Sequence, residues 1–420
     1  MTASRRNFIK QAAVGLFAGG QLTDSLANSI PKLGEVDDEE MYWKLMRQQF
    51  PLTNKRIYLN NGTMGPSPYP VIQEMNRAMT ETDVNGSYGG WENSHKIIGD
   101  FVGADETEIA LTMNVTQGIN IVCWGLPLKK GDEVIITTHE HGGNALPWLN
   151  RAMKDGIVLK PFTPAMTAEE TLQRIQSTYT SKTKVIAVPH ILCTQGQILP
   201  VKEIANWARS KGLFVFFDGA HGPGMVQLNL KEMGCDAYAS CCHKWMLGPK
   251  GTGFLYVRKD VQQTLVPIFI GAGSDKGLWN MNVKPPMMGA LADTAHRYYG
   301  GTMNNALFKG VDASISFINQ IGMNNIQQRL TSLAGYAQQQ LIALGDKIEM
   351  LTPTEEKSRG GVIGFRIKTT DSKTFYERCQ RESITIRQVH ENGLNSLRLS
   401  THIYNNKTEI DKLIALVNDS

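Results

Sequence analysis

Lys244 stands in the apolar stretch Ser240-Cys241-Cys242-His243-Lys244-Trp245, ahead of the glycine-rich turn Gly248–Gly253. Burial there disfavours an ammonium and frees the neutral amine, the nucleophile that forms an imine. Asp218 lies upstream, directly after the apolar run Leu213–Phe217 and before Gly219-Ala220-His221. A carboxylate at the end of a buried strand is costly unless it meets a cation, and a protonated ring nitrogen would serve. Alone, Asp218 reads more readily as a helix N-cap, because Asp-Gly often opens a turn. Lys244 alone reads equally as a surface lysine. The pair predicts imine chemistry on pyridoxal phosphate, whose protonated ring takes up negative charge.

The elements that must hold these residues are legible as short apolar runs. Glu133–Thr137, Lys184–Val188, Leu213–Phe217 and Phe254–Val257 are β-branched or aromatic and bounded by turn signals, so each predicts a buried strand. Ala168–Thr178 and Val201–Lys211 between them carry apolar residues at helical spacing. The alternation predicts an α/β domain with a mainly parallel sheet, whose ligands sit at the strands' carboxyl ends. From about Gly310 a long amphipathic helix and strands near Val362–Ile367 and Leu397–Ser400 predict a smaller α+β domain. The expected boundaries are 1–27 for a signal peptide, 28–57 for a linker, 58–309 for the large domain and 310–420 for the small one.

The run from Asp218-Gly219-Ala220-His221 through His243-Lys244-Trp245-Met246-Leu247-Gly248-Pro249 to Val257 resembles class V aminotransferases of pyridoxal-phosphate fold type I. Within that family it most resembles the isopenicillin N epimerase-like branch, from about Tyr58 to Asn405. The resemblance implies a role for further residues. Thr116 and Gln117, in Asn114–Asn120, would open the helix whose free N–H groups hold the phosphate. His141 would stack on the cofactor ring, His221 would bond its phenolic oxygen, and His243 would lie near the phosphate. Cys193 and Cys241 stand where relatives carry Asn or Ser, which puts those two cofactor contacts in doubt. Thr302, in Gly300-Gly301-Thr302-Met303-Asn304, would reach the phosphate of a neighbouring subunit and imply a two-fold dimer. Arg398 would grip the substrate α-carboxylate with its planar fork. Asn61, heading the Asn61–Gly65 loop, is expected at the substrate.

These residues leave the reaction open between transamination, epimerisation and elimination. A transferase or epimerase acting on an amino acid or amino-acyl metabolite is the first expectation. A lyase, or a non-catalytic binding protein that kept the fold, is the alternative. Cysteine desulfurase is disfavoured, because no cysteine lies between Ile384 and Arg398 and Cys379 falls too early. A metal enzyme built on His139 and His141 lacks a third ligand.

Composition excludes other classes. The 420 residues are 41% hydrophobic and 20% charged, with a formal net charge of +4. The basic residues are dispersed, which argues against nucleic-acid binding. Mean hydropathy is −0.24 and no apolar run is long enough to span a bilayer. Six cysteines without a CxxC pair predict buried thiols rather than a disulfide framework. Ser4-Arg5-Arg6-Asn7-Phe8-Ile9-Lys10 followed by Ala12–Ala18 and Ser25-Leu26-Ala27 predicts a twin-arginine signal cleaved after Ala27. That predicts a periplasmic enzyme exported folded by the twin-arginine machinery, with its cofactor already bound.

Overall fold

A computed structural model describes residues 31–34, 36, 38–86, 89–277, 279–298 and 300–420. The twin-arginine segment lies outside the described residues. In chain order the strands are β1 (Ile57–Tyr58), β2 (Ile109–Thr112), β3 (Glu133–Thr137), β4 (Val158–Phe162), β5 (Thr183–Pro189), β6 (Phe214–Asp218), β7 (Ala237–Cys241) and β8 (Gly253–Val257). Then follow β9 (Ile348–Met350), β10 (Val362–Ile367), β11 (Ile384–Thr385), β12 (Arg387–Val389) and β13 (Ser396–Ser400).

Strands β2 to β8 form one seven-stranded sheet in the order β2-β8-β7-β6-β5-β3-β4. Five neighbours, β7-β6-β5-β3-β4, are parallel, and β8 runs antiparallel to both β7 and β2. Strand side chains alternate between two apolar layers. Ile135, Ile186, Val188, Val215 and Phe217 face one layer, and Val134, Ile136, Val185, Ala187 and Phe216 face the other. Both faces are covered, which is why these strands read as continuous apolar runs. Each fully buried side chain of this size stabilises by about 1.5–3 kcal/mol. Several such residues beside Asp218 offset the cost of burying its carboxylate. This is the α/β arrangement of pyridoxal-phosphate fold type I, with a mainly parallel central sheet.

A second sheet, β12-β13-β10-β9, is antiparallel and packs a separate core of Leu333, Ile363, Phe365, Leu397 and Leu413. The short strand β1 pairs in parallel with β11, and Asn60 bridges to Ser400. Residues 57–60 therefore tie this segment to β11 and, through Asn60, to β13 of the C-terminal sheet. The segment that follows, Asn61–Gly65, runs from that sheet to the loop holding Lys244. All six cysteines are buried free thiols. No helix among the described residues is long and apolar enough to cross a membrane.

Candidate active site

Four neighbouring strands end at one place. Strand β6 ends in Asp218, β5 leads into Cys193, β3 leads into His141, and β7 leads into Lys244. The cavity there is lined by Lys244, Asp218, His141, His221 and Cys193, with Pro189, Ile191 and Ala220 as apolar walls. The strand-end rule thus places these chemistry-bearing residues together.

Asp218 Oδ1 accepts from the Ala220 N–H at 2.9 Å. Burial pushes its carboxyl pKa up, while that N–H and the Lys244 charge oppose the shift. A cationic ring N–H would supply the counter-charge. Lys244 Nζ lies 3.2 Å from His221 Nε2. His221 is held well below the usual histidine range, first by burial and then by the charges of Lys244 and Arg398. His141 is the N-cap of helix Gly142–Asp155, its Nδ1 accepting from Gly143 N at 3.0 Å. Burial, then Lys244, pushes His141 down to about 4. A neutral imidazole is therefore the resident form at both positions.

Helix Val115–Gly125 begins beside this site. Asn114 caps it by accepting from Gln117 N at 2.9 Å, and Gln117 Oε1 accepts from Met113 N at 2.7 Å. The Gln117 side chain is thereby engaged in the cap, and the helix's free amides remain as the anion-binding feature. A Cβ on Gly143 would come within 2.9 Å of Thr116 Oγ1, so Thr116 lies against the turn that carries His141. His243 has a buried Nδ1 without a partner and is pushed down to about 4, first by burial.

The two cysteines resolve differently. Cys241 Sγ lies 3.7 Å from the Ala220 carbonyl, so its sulfur is directed at backbone. Cys193 keeps its thiol at the cavity wall, with its pKa pushed up to about 11 by burial, while its carbonyl accepts from Arg398 Nη1 at 2.7 Å. Arg398 is fully buried on β13. Its Nη2 donates to Thr63 Oγ1 at 2.8 Å and to Asn60 Oδ1 at 3.3 Å, and its Nε has no partner. A Cβ on Gly62 would sit 3.2 Å from His221 and 3.4 Å from Arg398, so the two are close neighbours across that glycine. Asn61 Oδ1 accepts from Tyr404 OH at 3.0 Å, and its Nδ2 is buried without a partner. Thr302 is exposed, ahead of helix Asn305–Ile321.

These residues fit pyridoxal phosphate. A buried carboxylate for the ring nitrogen and a lysine amine line one cavity, and the helix that opens at Val115 lies against the turn that carries His141. Asn61 Nδ2 and Arg398 Nε are buried donors without a partner. Sequence reading overlooked other residues here. Glu140, fully buried, accepts from Thr137 N at 3.2 Å and Asn144 Nδ2 at 2.8 Å, fixing the turn that carries His141. Its position between His139 and His141 was the available signal. Arg387 pairs with Glu391 and lies opposite Arg398 in the strand register. The alternation of β12 is too short to reveal it.

The sequence profile described as aminotransferase class-V matches residues 58–413, and the chain belongs to that family. A probable cysteine desulfurase of Methanothermobacter thermautotrophicus is 29% identical over 393 residues, covering 88% of this chain and 95% of the relative. The isopenicillin N epimerase of Amycolatopsis lactamdurans is 25% identical, covering 88% of this chain and 96% of that one. The apo structure of the cysteine desulfurase from Thermococcus onnurineus NA1 superposes with a TM-score of 0.78 at 27% identity, covering 89% and 96%. The prevalence of desulfurases overturns the expectation that disfavoured them. The sequence fact behind that expectation stands: no cysteine lies in 384–398, so any carbon–sulfur cleavage here proceeds without a thiol from that segment. The relatives back the lyase alternative better than the transferase or epimerase expectation.

Proposed function

We propose that this protein is a pyridoxal-phosphate-dependent lyase that breaks a bond to the β-carbon of an α-amino acid, a carbon–sulfur bond in the first instance. The desulfurase relatives carry the choice of lyase, and Arg398, a fully buried guanidinium with a free Nε near His221, supports an α-amino acid as substrate. The desulfurase names of the relatives support sulfur as the leaving atom. Bound pyridoxal phosphate supplies the sink for charge developed at Cα. Lys244 would anchor the cofactor and, once freed, would take the proton from Cα, while the Cα–Cβ double bond forms as the Cβ–S bond breaks and the sulfur leaves with its bonding pair as a thiolate. Asp218 keeps the ring nitrogen protonated. Arg398 and Asn61 fix the carboxylate, which sets Cα before the lysine. His141, Ile191 and Pro189 wall off water.

The test is sulfur release from cysteine and S-substituted cysteines by the cofactor-loaded protein. Release should fall at least about a thousandfold in Lys244→Ala. Amino-group transfer to a keto acid without sulfur release would overturn the reading. A protein that binds the cofactor, yet turns over none of these, would be a binding protein.

We further propose export and a dimer. The Ser4–Lys10 motif supports export. Replacing Arg5 and Arg6 by lysine should strand the protein in the cytoplasm, and unchanged periplasmic recovery would count against the signal. Thr302 supports a dimer in which one subunit completes the phosphate site of the other.

A further inference from the structure

Trp245 follows the cofactor lysine and is buried, with 1% of its surface exposed. Its indole Nε1–H donates to His221 Nδ1 at 3.0 Å. An indole nitrogen is a donor only. The His221 Nδ1 must therefore present its lone pair, and a neutral ring then carries its proton on Nε2. That nitrogen faces Lys244 Nζ at 3.2 Å. The contact is a hydrogen bond only when Lys244 is a neutral amine accepting from Nε2–H, the form that makes an imine. An imidazolium would set a second N–H against the indole N–H. Burial first, and then the nearby guanidinium charges of Arg398 and Arg387, also oppose protonation of this ring.

Trp245 is itself held from several sides. Its ring stacks on His402 at 5.8 Å between centroids. His402 Nδ1 accepts from Ile403 N at 2.9 Å, which leaves Nε2–H to donate to the Trp245 carbonyl at 3.2 Å. Gly361 gives the indole room, since a Cβ there would come within 2.8 Å of the ring.

We propose that Trp245 is a positioning residue that locks His221 as the neutral Nε2–H tautomer, a donor directed at Lys244 and incapable of acting as a base. When the lysine carries the cofactor, the same N–H remains available to an anionic ring oxygen. The proposal rests on Lys244 being the cofactor lysine, but its first test does not.

That test is nitrogen NMR of the apoprotein with labelled histidine, His221 being assigned by its loss in His221→Gln. A neutral ring protonated at Nε2 between about pH 5 and pH 8 is the expected result. A ring protonated at Nδ1, or doubly protonated in that range, would overturn the proposal whatever the enzyme's activity. Trp245→Phe keeps an aromatic ring and removes the N–H. It should give mixed tautomers, and shift the pH midpoint of the visible band of the cofactor-loaded protein. A pure Nε2–H ring in a folded Trp245→Phe protein would equally refute it. Should that variant not fold, the wild-type spectrum alone decides.

Discussion

At Arg398, burial acts first against the guanidinium charge, and the neighbouring Arg387 adds to it. The side chain is nonetheless held in place, because Cys193 O, Thr63 Oγ1 and Asn60 Oδ1 take its outer N–H groups. What it lacks is a counter-ion on Nε, and a substrate carboxylate would provide one. Lysine keeps the charge but loses the planar fork. Arg398→Lys should therefore raise KM roughly 10- to 100-fold, as expected for one charge-assisted hydrogen bond of about 1.5–3 kcal/mol. The cofactor's visible band should be unchanged, because Lys244 and Asp218 are untouched. A KM within about twofold of wild type would remove Arg398 from substrate binding. At this scale Lys244, Asp218 and Arg398 were legible because they sit at strand ends or in a strand of recognisable pattern. The Trp245–His221 bond was not, since it joins residues 24 apart whose meeting depends on the turn between them.

Local periodicity found the elements with large apolar faces. Strands β3 and β10 appear as read, and β5, β6, β8 and β13 differ by a single residue at one or both ends. The segment 57–65 was beyond that method. Strand β1 has two residues, and its parallel partner β11 lies more than three hundred positions away. Yet this segment delivers Asn61 and shapes the lysine loop. Gly65 N donates to His243 O at 2.8 Å, and a Cβ on Gly65 would stand 2.1 Å from the Lys244 carbonyl. Backbone cannot yield cheaply at that distance, and overpacking of this kind costs about 1–3 kcal/mol or more. Gly65→Ala should lower the melting temperature by several degrees and weaken cofactor retention at least about tenfold. Gly212→Ala is the control, because its φ is +68° but no atom lies within 4 Å of a Cβ there. It should cost only the left-handed backbone penalty of about 1 kcal/mol and leave cofactor retention intact. Equal cofactor loss in both variants would mean that general destabilisation, rather than the Lys244 contact, explains the effect.

The surface of the whole molecule is uneven in a way that bears on assembly. Phe269, Trp279, Met281 and Met288 are each more than half exposed, all within one excursion between β8 and helix Asn305–Ile321. Apolar exposure concentrated in this way marks an interaction surface. The excursion is anchored by the glycines that precede Thr302: Gly301 N donates to Ala272 O at 3.1 Å, and Gly300 packs on Gly271. Thr302 and the apolar excursion therefore belong to one feature, and a second copy that covers the excursion would also receive Thr302. On the proposed dimer, oligomeric state and cofactor affinity would be linked. Wild-type protein should scatter light as a dimer at micromolar concentration. Phe269→Glu with Trp279→Glu places two charges in the interface core and should give monomers, since an unpaired buried charge is costly there. Those monomers should hold pyridoxal phosphate at least about tenfold more weakly, the loss expected for a phosphate hydrogen bond. Thr302→Ala should weaken retention similarly while the protein stays dimeric. Monomeric wild type with full cofactor affinity would break the link. A dimer that survives both charges would place the interface on another face.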